Sequence, residues 1–311
     1  MKNANKVSRS FQHMILLCGC LLIYYSVSAR QHKPTESGYI VQKTQGIDSD
    51  YVLIFNSYSE SAPWCRSLVD STVMDLIKLS PQTMTVTQNL NSGLLRDEKA
   101  LAQLRQQVDV SYHDKPRMII YIGSTSWPFL HETIEKKWGK VPSIIFSDID
   151  YTGPITNLLR KTPIAPALRI PYDKIVKEYE GALSVVYMPI YLRQSLALMH
   201  QLTPPMTELC FISDTRWISA QMRADMAAIT KTDFPELKVR YLISADMSTL
   251  DLLDSLQHYG QETGVLFFSW LKQSQVGDSF VNDSHFRIII SKSARQPLFV
   301  LNDNEVNTDS D

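Results

Sequence analysis

Four of the five tryptophans in this chain stand in the same kind of place, just past an apolar run and in a short serine-bearing loop. The segments are YVLIFNSYSESAPW, ending at Trp64, MIIYIGSTSW at Trp127, ELCFISDTRW at Trp217 and GVLFFSW at Trp270. Beside the indoles lie Ser57, Tyr58, Ser59 and Glu60; Ser124, Thr125 and Ser126; Ser213, Asp214, Thr215 and Arg216; and Ser269. Asp148 and Asp150 follow a further apolar run. Tryptophan offers a flat apolar face with a polar N–H at its edge. Hydroxyls and carboxylates add directional hydrogen bonds, and Arg216 can clamp a carboxylate or pair with Asp214. A few polar groups on a mostly apolar wall is what small-molecule capture requires. The plainer reading of each loop is structural: a tryptophan capping the core, and Ser or Asp capping the next helix. The fourfold repetition favours binding.

Reaction chemistry has no comparable signature. The sequence contains no GxGxxG after a strand, no GxxxxGK[ST], no HExxH and no GxSxG. His131-Glu132-Thr133-Ile134-Glu135 lacks the second histidine that zinc requires, and it reads as part of a surface helix. The seven histidines are scattered, with none in the four tryptophan loops. No catalytic residue, metal or cofactor is expected.

These loops need a scaffold that places strand ends together. Apolar runs at Tyr51–Asn56, Met84–Asn89, Met118–Ile122 and Pro142–Phe146 alternate with helical patterns at Pro63 to about Lys78, Asp97–Val110 and Pro128–Trp138. Alternation resumes with helix Ile190–Gln201, strand Glu208–Ser213, helix Ile218–Thr232, strand Lys238–Ile243, helix Thr249–Tyr259 and strand Val265–Phe268. A helix around Ser284–Lys292 and a strand Leu298–Leu301 complete the series. Strands alternating with helices imply parallel βαβ units. Between the two runs, Pro154, Pro163, Pro166 and Pro171 break the period. The expected fold is α/β, with two doubly wound parallel-sheet lobes. The first spans 50–150, a proline-rich excursion and crossover 151–182, and the second lobe 183–301. In open α/β sheets, ligands sit at the carboxyl ends of strands, where all four tryptophan loops would lie.

Bulk properties agree with a folded binding protein. With 44% hydrophobic residues, 20% charged and a net charge of −1, the chain can build a core and offers no electrostatic attraction to nucleic acid or anionic membrane. Residues 1–29 have a basic start (Lys2, Lys6, Arg9), an apolar stretch Met14–Tyr25 and a small-residue site Val27-Ser28-Ala29. This is the layout of a secretory signal peptide. Its apolar stretch is short for a membrane span, which needs roughly 20 residues; a retained anchor is the alternative. Residues 30–49 read as a leader. Cys65 and Cys210 remain after processing, in different lobes, as small buried hydrophobes.

At VLIFNSYSESAPW, IIYIGSTSW with VPSIIFSDID, and LTPPMTELCFISDTRWISAQMRADM, the chain resembles the type I periplasmic-binding-protein fold, in its ABC-type substrate-binding-like branch. The nearest resemblance is to extracytoplasmic sensor domains of bacterial hybrid two-component histidine kinases. It covers about Tyr51 to Leu301. It implies an interlobe cleft with Ser57, Tyr58, Trp64, Ser124 and Trp127 on one side and Asp214, Arg216 and Trp217 on the other; Asp148 and Trp270 complete the candidate set. In such proteins the chain recrosses after the equivalent of Leu301 to finish the first lobe. Here Asn302–Asp311 is an acidic, polar tail, and the expectation is that this return is incomplete. The implied function is an exported sensor that captures a small molecule and signals to a histidine kinase. Alternatives are a free solute-binding component of an ABC-type transporter, and an exported hydrolase using Asp148 and Asp150. Stacking plus hydrogen bonds suit sugars, nucleosides, aromatic acids and short peptides. Implied partners are the ligand and a kinase or transporter, without nucleic acid, and a dimer stays open.

Overall fold

The structure is a computed structural model that describes residues 51–59, 63–188, 190–203, 206–273, 280–281 and 286–301; within these, the side chains of 63–64, 273, 280–281 and 286–288 are not described. The expected signal peptide, leader and acidic tail lie outside the described residues. So do Glu60 and the start of the helix expected at Ser284.

In chain order the elements are β1 (Tyr51–Asn56), α1 (Pro63–Leu79), β2 (Met84–Asn89), α2 (Glu98–Ser111), β3 (Met118–Ile122), α3 (Ser126–Trp138) and β4 (Ser143–Ser147). The excursion follows with β5 (Tyr151–Thr152), α4 (Ile155–Arg160), β6 (Ile170–Pro171) and α5 (Tyr172–Glu178). Then come β7 (Leu183–Tyr187), α6 (Leu192–Leu202), β8 (Glu208–Ser213), α7 (Trp217–Asp233), β9 (Lys238–Ile243), α8 (Thr249–His258) and β10 (Thr263–Phe267). The short strands β11 (Lys272–Gln273) and β12 (Phe280–Val281) pair antiparallel, ahead of α9 (Phe286–Ser293) and β13 (Leu298–Val300).

Two parallel sheets result, as the alternating pattern implies. The first has the order β2-β1-β3-β4-β7 and the second β13-β10-β8-β9. Every residue of β1 and of β10 is buried, which is why these strands read as unbroken apolar runs. On one face of the first sheet Val52, Ile54, Ile120 and Ile122 pack with Cys65 of α1. In the second sheet Cys210, Ile212, Val265 and Phe267 pack with Leu252, Leu256 and Ile290. Cys65 and Cys210 are free and buried. No helix among the described residues is long and apolar enough to cross a membrane.

The residues around 183 differ from the sequence expectation. Leu183–Tyr187 pairs with β4 as the edge strand of the first sheet, so the crossing to the second sheet comes after Tyr187. A parallel neighbour requires a long crossover, and residues 151–182 supply it. That segment is ordered rather than merely irregular. β5 and β6 form a two-stranded antiparallel pair, and Pro171 leads into α5. The four prolines obscure this, because they remove periodicity without preventing short elements.

Candidate functional site

The first sheet ends in three loops. After β1, the Ser57 N–H donates to the Ile122 carbonyl at 2.8 Å, so the chain leaves the sheet between β1 and β3. The Ser57 hydroxyl then accepts the Ser126 N–H at 2.8 Å and satisfies an otherwise unpaired donor in the first turn of α3. Ser57 is fully buried and held inward by this role. After β3 the chain turns at Gly123, with φ +86°, a value at which an added Cβ would meet Ser57 and Tyr58 atoms within 2.7–2.9 Å. Only glycine lets these two loops approach so closely.

Tyr58 and Ser124 converge on Asp148, which follows β4. The Tyr58 hydroxyl donates to Asp148 Oδ2, and the Ser124 hydroxyl lies 3.3 Å from the same oxygen. Asp148 is 9% exposed, and its other oxygen, Oδ1, is buried without a protein partner. Burial pushes the Asp148 carboxyl above the ordinary carboxylate range, against the opposing pull of the Tyr58 hydrogen bond, the Arg216 charge and the Ser124 hydrogen bonds. Burial likewise pushes the Tyr58 phenol well up, reinforced by Asp148.

The second sheet supplies the opposite wall. Fully buried Asp214, after β8, accepts from Arg216 Nε at 2.8 Å, from the Arg216 backbone N–H at 2.9 Å and from the Ser219 hydroxyl at 2.6 Å. Thus held, the Arg216 guanidinium stands 5.1 Å from the centre of the Tyr58 ring, a cation–π contact between the two sheets' loops. Trp217 opens α7 and donates its indole N–H to the Thr162 carbonyl of the excursion at 3.2 Å.

Tyr58, Ser124, Arg216 and Trp217 line one small cavity, joined by Ser92, Thr125, Leu158 and Lys161. Its volume is about 20 Å³, enough for a water-sized group, since one water needs at least roughly 10–15 Å³. Asp148 and Asp214 stand directly behind this lining, through Tyr58 and Arg216. Trp127, Trp270 and Asp150 lie elsewhere. Trp127 is buried with its ring stacked 3.9 Å from His131 and edge-on to Tyr172 at 6.5 Å. Trp270 packs in the core of the second sheet and donates its N–H to Thr249 Oγ1 at 3.2 Å. The Trp64 side chain is not described. Asp150 is exposed and lines a different cavity from Asp148's neighbours.

Four lining residues carried no sequence signal as strongly as the tryptophans did. Ser92 follows β2 in an Asn-Ser-Gly turn, so the strand-end rule alone would have included it. Thr125 sat in view beside Ser124. Leu158 and Lys161 come from α4 and its left-handed C-cap in the excursion (Lys161 φ 55°), where the lost period hid any element. Burial and the nearby Arg96 charge lower the Lys161 pKa, partly offset by Asp214. Among the described residues no group of His, Cys, Asp and Glu is arranged to hold a metal ion.

No family model matches the sequence, and no curated protein matches it. Among solved structures, the chain is similar to a conserved domain protein from Vibrio cholerae, at 9% identity and a TM-score of 0.48, covering 83% of this chain and 76% of that one. It is similar to an ABC domain in complex with L-Trp from Streptococcus pneumonia, at 10% identity and a TM-score of 0.46, over 83% and 76%. A fatty acid ABC transporter substrate-binding protein from Thermomonospora curvata matches at 10% identity and 0.47, over 84% of this chain and 59% of its own length. The two-sheet architecture rests on the strand pairing described above, not on these likenesses.

Proposed function

We propose that this chain is an extracytoplasmic binding protein that captures a small molecule between its two sheets, at Tyr58, Ser124 and Asp148 on one side and Asp214, Arg216 and Trp217 on the other. The observation that carries this reading is the buried polar cluster at the strand ends, with Arg216 of one sheet's loop stacked on Tyr58 of the other's. Burying two carboxylates and a guanidinium at a junction costs stability relative to apolar packing of the same shape. A functional need for directional polar groups accounts for their presence. With room for only a water-sized group, the site as it stands is closed, and a ligand enters when the sheets part.

Such a protein serves an ABC-type transporter as its solute-binding component; signalling to a histidine kinase uses the same closure and is the second reading. Membrane co-purification with a permease or with a kinase separates them. The hydrolase reading needs Asp148 and Asp150 on one substrate. Asp148 lies behind Tyr58 and Ser124, whereas Asp150 opens on another cavity.

The test is a thermal-shift and tryptophan-fluorescence panel of sugars, nucleosides, aromatic acids including L-tryptophan, and short peptides. A ligand at 100 times its dissociation constant should stabilise the fold by about 2.7 kcal/mol. Trp217→Phe and Arg216→Ala should each weaken that ligand at least roughly tenfold, or 1.4 kcal/mol. Full affinity in both variants would place the ligand elsewhere and sink this site.

A further inference from the structure

The strand-end cluster uses the first turn of α7, but the flank of that helix faces a larger space. We infer that this space is a second small-molecule site, suited to a ring-bearing molecule with no net charge. It is a cavity of about 430 Å³, within the roughly 300–1,000 Å³ typical of ligand pockets. It shares no lining residue with the strand-end cavity. Ile149–Tyr151 and Tyr187 wall it from the first sheet, and Met222, Asp225 and Ile229 wall it from α7.

The lining chemistry selects the occupant. Ile149, Met222 and Ile229 offer apolar surface, and Tyr151 and Tyr187 add aromatic rings. The formal charges at the wall cancel, with Arg169 and Arg193 against Asp150 and Asp225. Both arginines are already engaged. Arg169 Nη2 lies 2.6 Å from Asp225 Oδ1, with its guanidinium 4.6 Å from the Tyr151 ring centre, and Arg193 pairs with Asp233. A ligand carboxylate would have to compete with Asp225 or Asp233, and an ammonium would have to displace Arg169 from Asp225 or settle for Asp150, whose exposure to water screens the attraction. A neutral ring leaves these pairs intact and gains from apolar burial, at about 25 cal/mol per Å² removed from water. Tyr187 and Tyr191, 36% and 58% exposed, offer rings that such a molecule would cover. Because the walls belong to both sheets, a filled cavity also resists changes in the angle between them.

The probe is N-phenyl-1-naphthylamine, a neutral two-ring-system dye, titrated by fluorescence into the full chain. Saturable binding at one site is expected. Ala228→Trp places an indole at the cavity wall from an exposed position on α7 and should weaken binding at least roughly tenfold while leaving the unfolding midpoint in place. Tyr187→Ala, on the edge strand, should weaken it in the same direction and serves if the first variant fails to fold. Tyr58→Phe, in the strand-end cavity, should leave dye binding unchanged, so this site stands or falls apart from the proposed function. 1-Anilinonaphthalene-8-sulfonate, with the same rings and a negative charge, should bind more weakly. Absence of saturable dye binding, equal affinity in Ala228→Trp and Tyr187→Ala, or a preference for the sulfonate each overturns the proposal.

Discussion

Asp148 sits in an environment far from that of an ordinary carboxylate in water. Two hydroxyls reach one of its oxygens, and the other is buried without a protein partner. Its pKa is raised in the folded protein, so the fold favours the protonated form. The stability it contributes is therefore present below the ordinary carboxylate pKa and lost as pH rises through the elevated value. Asp148→Asn should abolish that loss, seen as a flatter profile of unfolding free energy against pH between acid and neutral conditions; an unchanged profile would assign the pH dependence to other groups. Gly123 makes the second prediction at this scale. Gly123→Ala forces a side chain into a left-handed turn and onto Ser57, and should cost about 2–4 kcal/mol in denaturant melts. Neither residue stood out equally in the sequence. Asp148 was visible as an acid after an apolar run, but Gly123 looked like any glycine at a strand end.

At the scale of elements, α7 joins the two halves. Its Gln221 is fully buried and accepts the Ile164 N–H at 2.7 Å, while its Asp225 holds Arg169 and its Trp217 holds the Thr162 carbonyl. All three partners belong to the excursion that the first sheet sends out before β7. Gln221→Ala should leave the Ile164 N–H unsatisfied and cost about 1–3 kcal/mol, a figure that denaturant unfolding can check. The half-exposed setting of surface pairs is different: Arg240 with Glu208, at 2.7 Å, should contribute within about 1 kcal/mol. The helix itself was legible as Ile218–Thr232, close to its span of Trp217–Asp233. Its partner surface was not, because four prolines left the excursion without a period to read.

For the whole molecule, the two sheets meet through a junction rich in polar contacts. Arg216 on Tyr58, Trp217 on Thr162 and Gln221 on Ile164 all cross it. A closed site that admits a ligand must break such contacts and re-form only some of them around it, so small-angle scattering of the proposed binding protein should show a changed radius of gyration when a panel ligand is added. The radius should stay fixed if the junction is a permanent interface. Three of the four tryptophans have separate places: Trp217 lines the strand-end cavity, Trp127 stacks on its own helix's His131, and Trp270 belongs to the core of the second sheet.

Local pattern was enough to establish the class of fold, most of the sheet strands and most of the helices among the described residues. Period and apolar runs are consequences of burial on one or both faces, and they can be read residue by residue. The same local reading could name strand-end residues but could not say which would face one another. Whether Tyr58 meets Arg216, or whether Leu183–Tyr187 joins the first sheet or the second, depends on contacts between residues far apart in the chain. Those contacts exist only once the crossovers have closed, so tertiary structure alone decided the members of the cavity and the helix that binds the two sheets together.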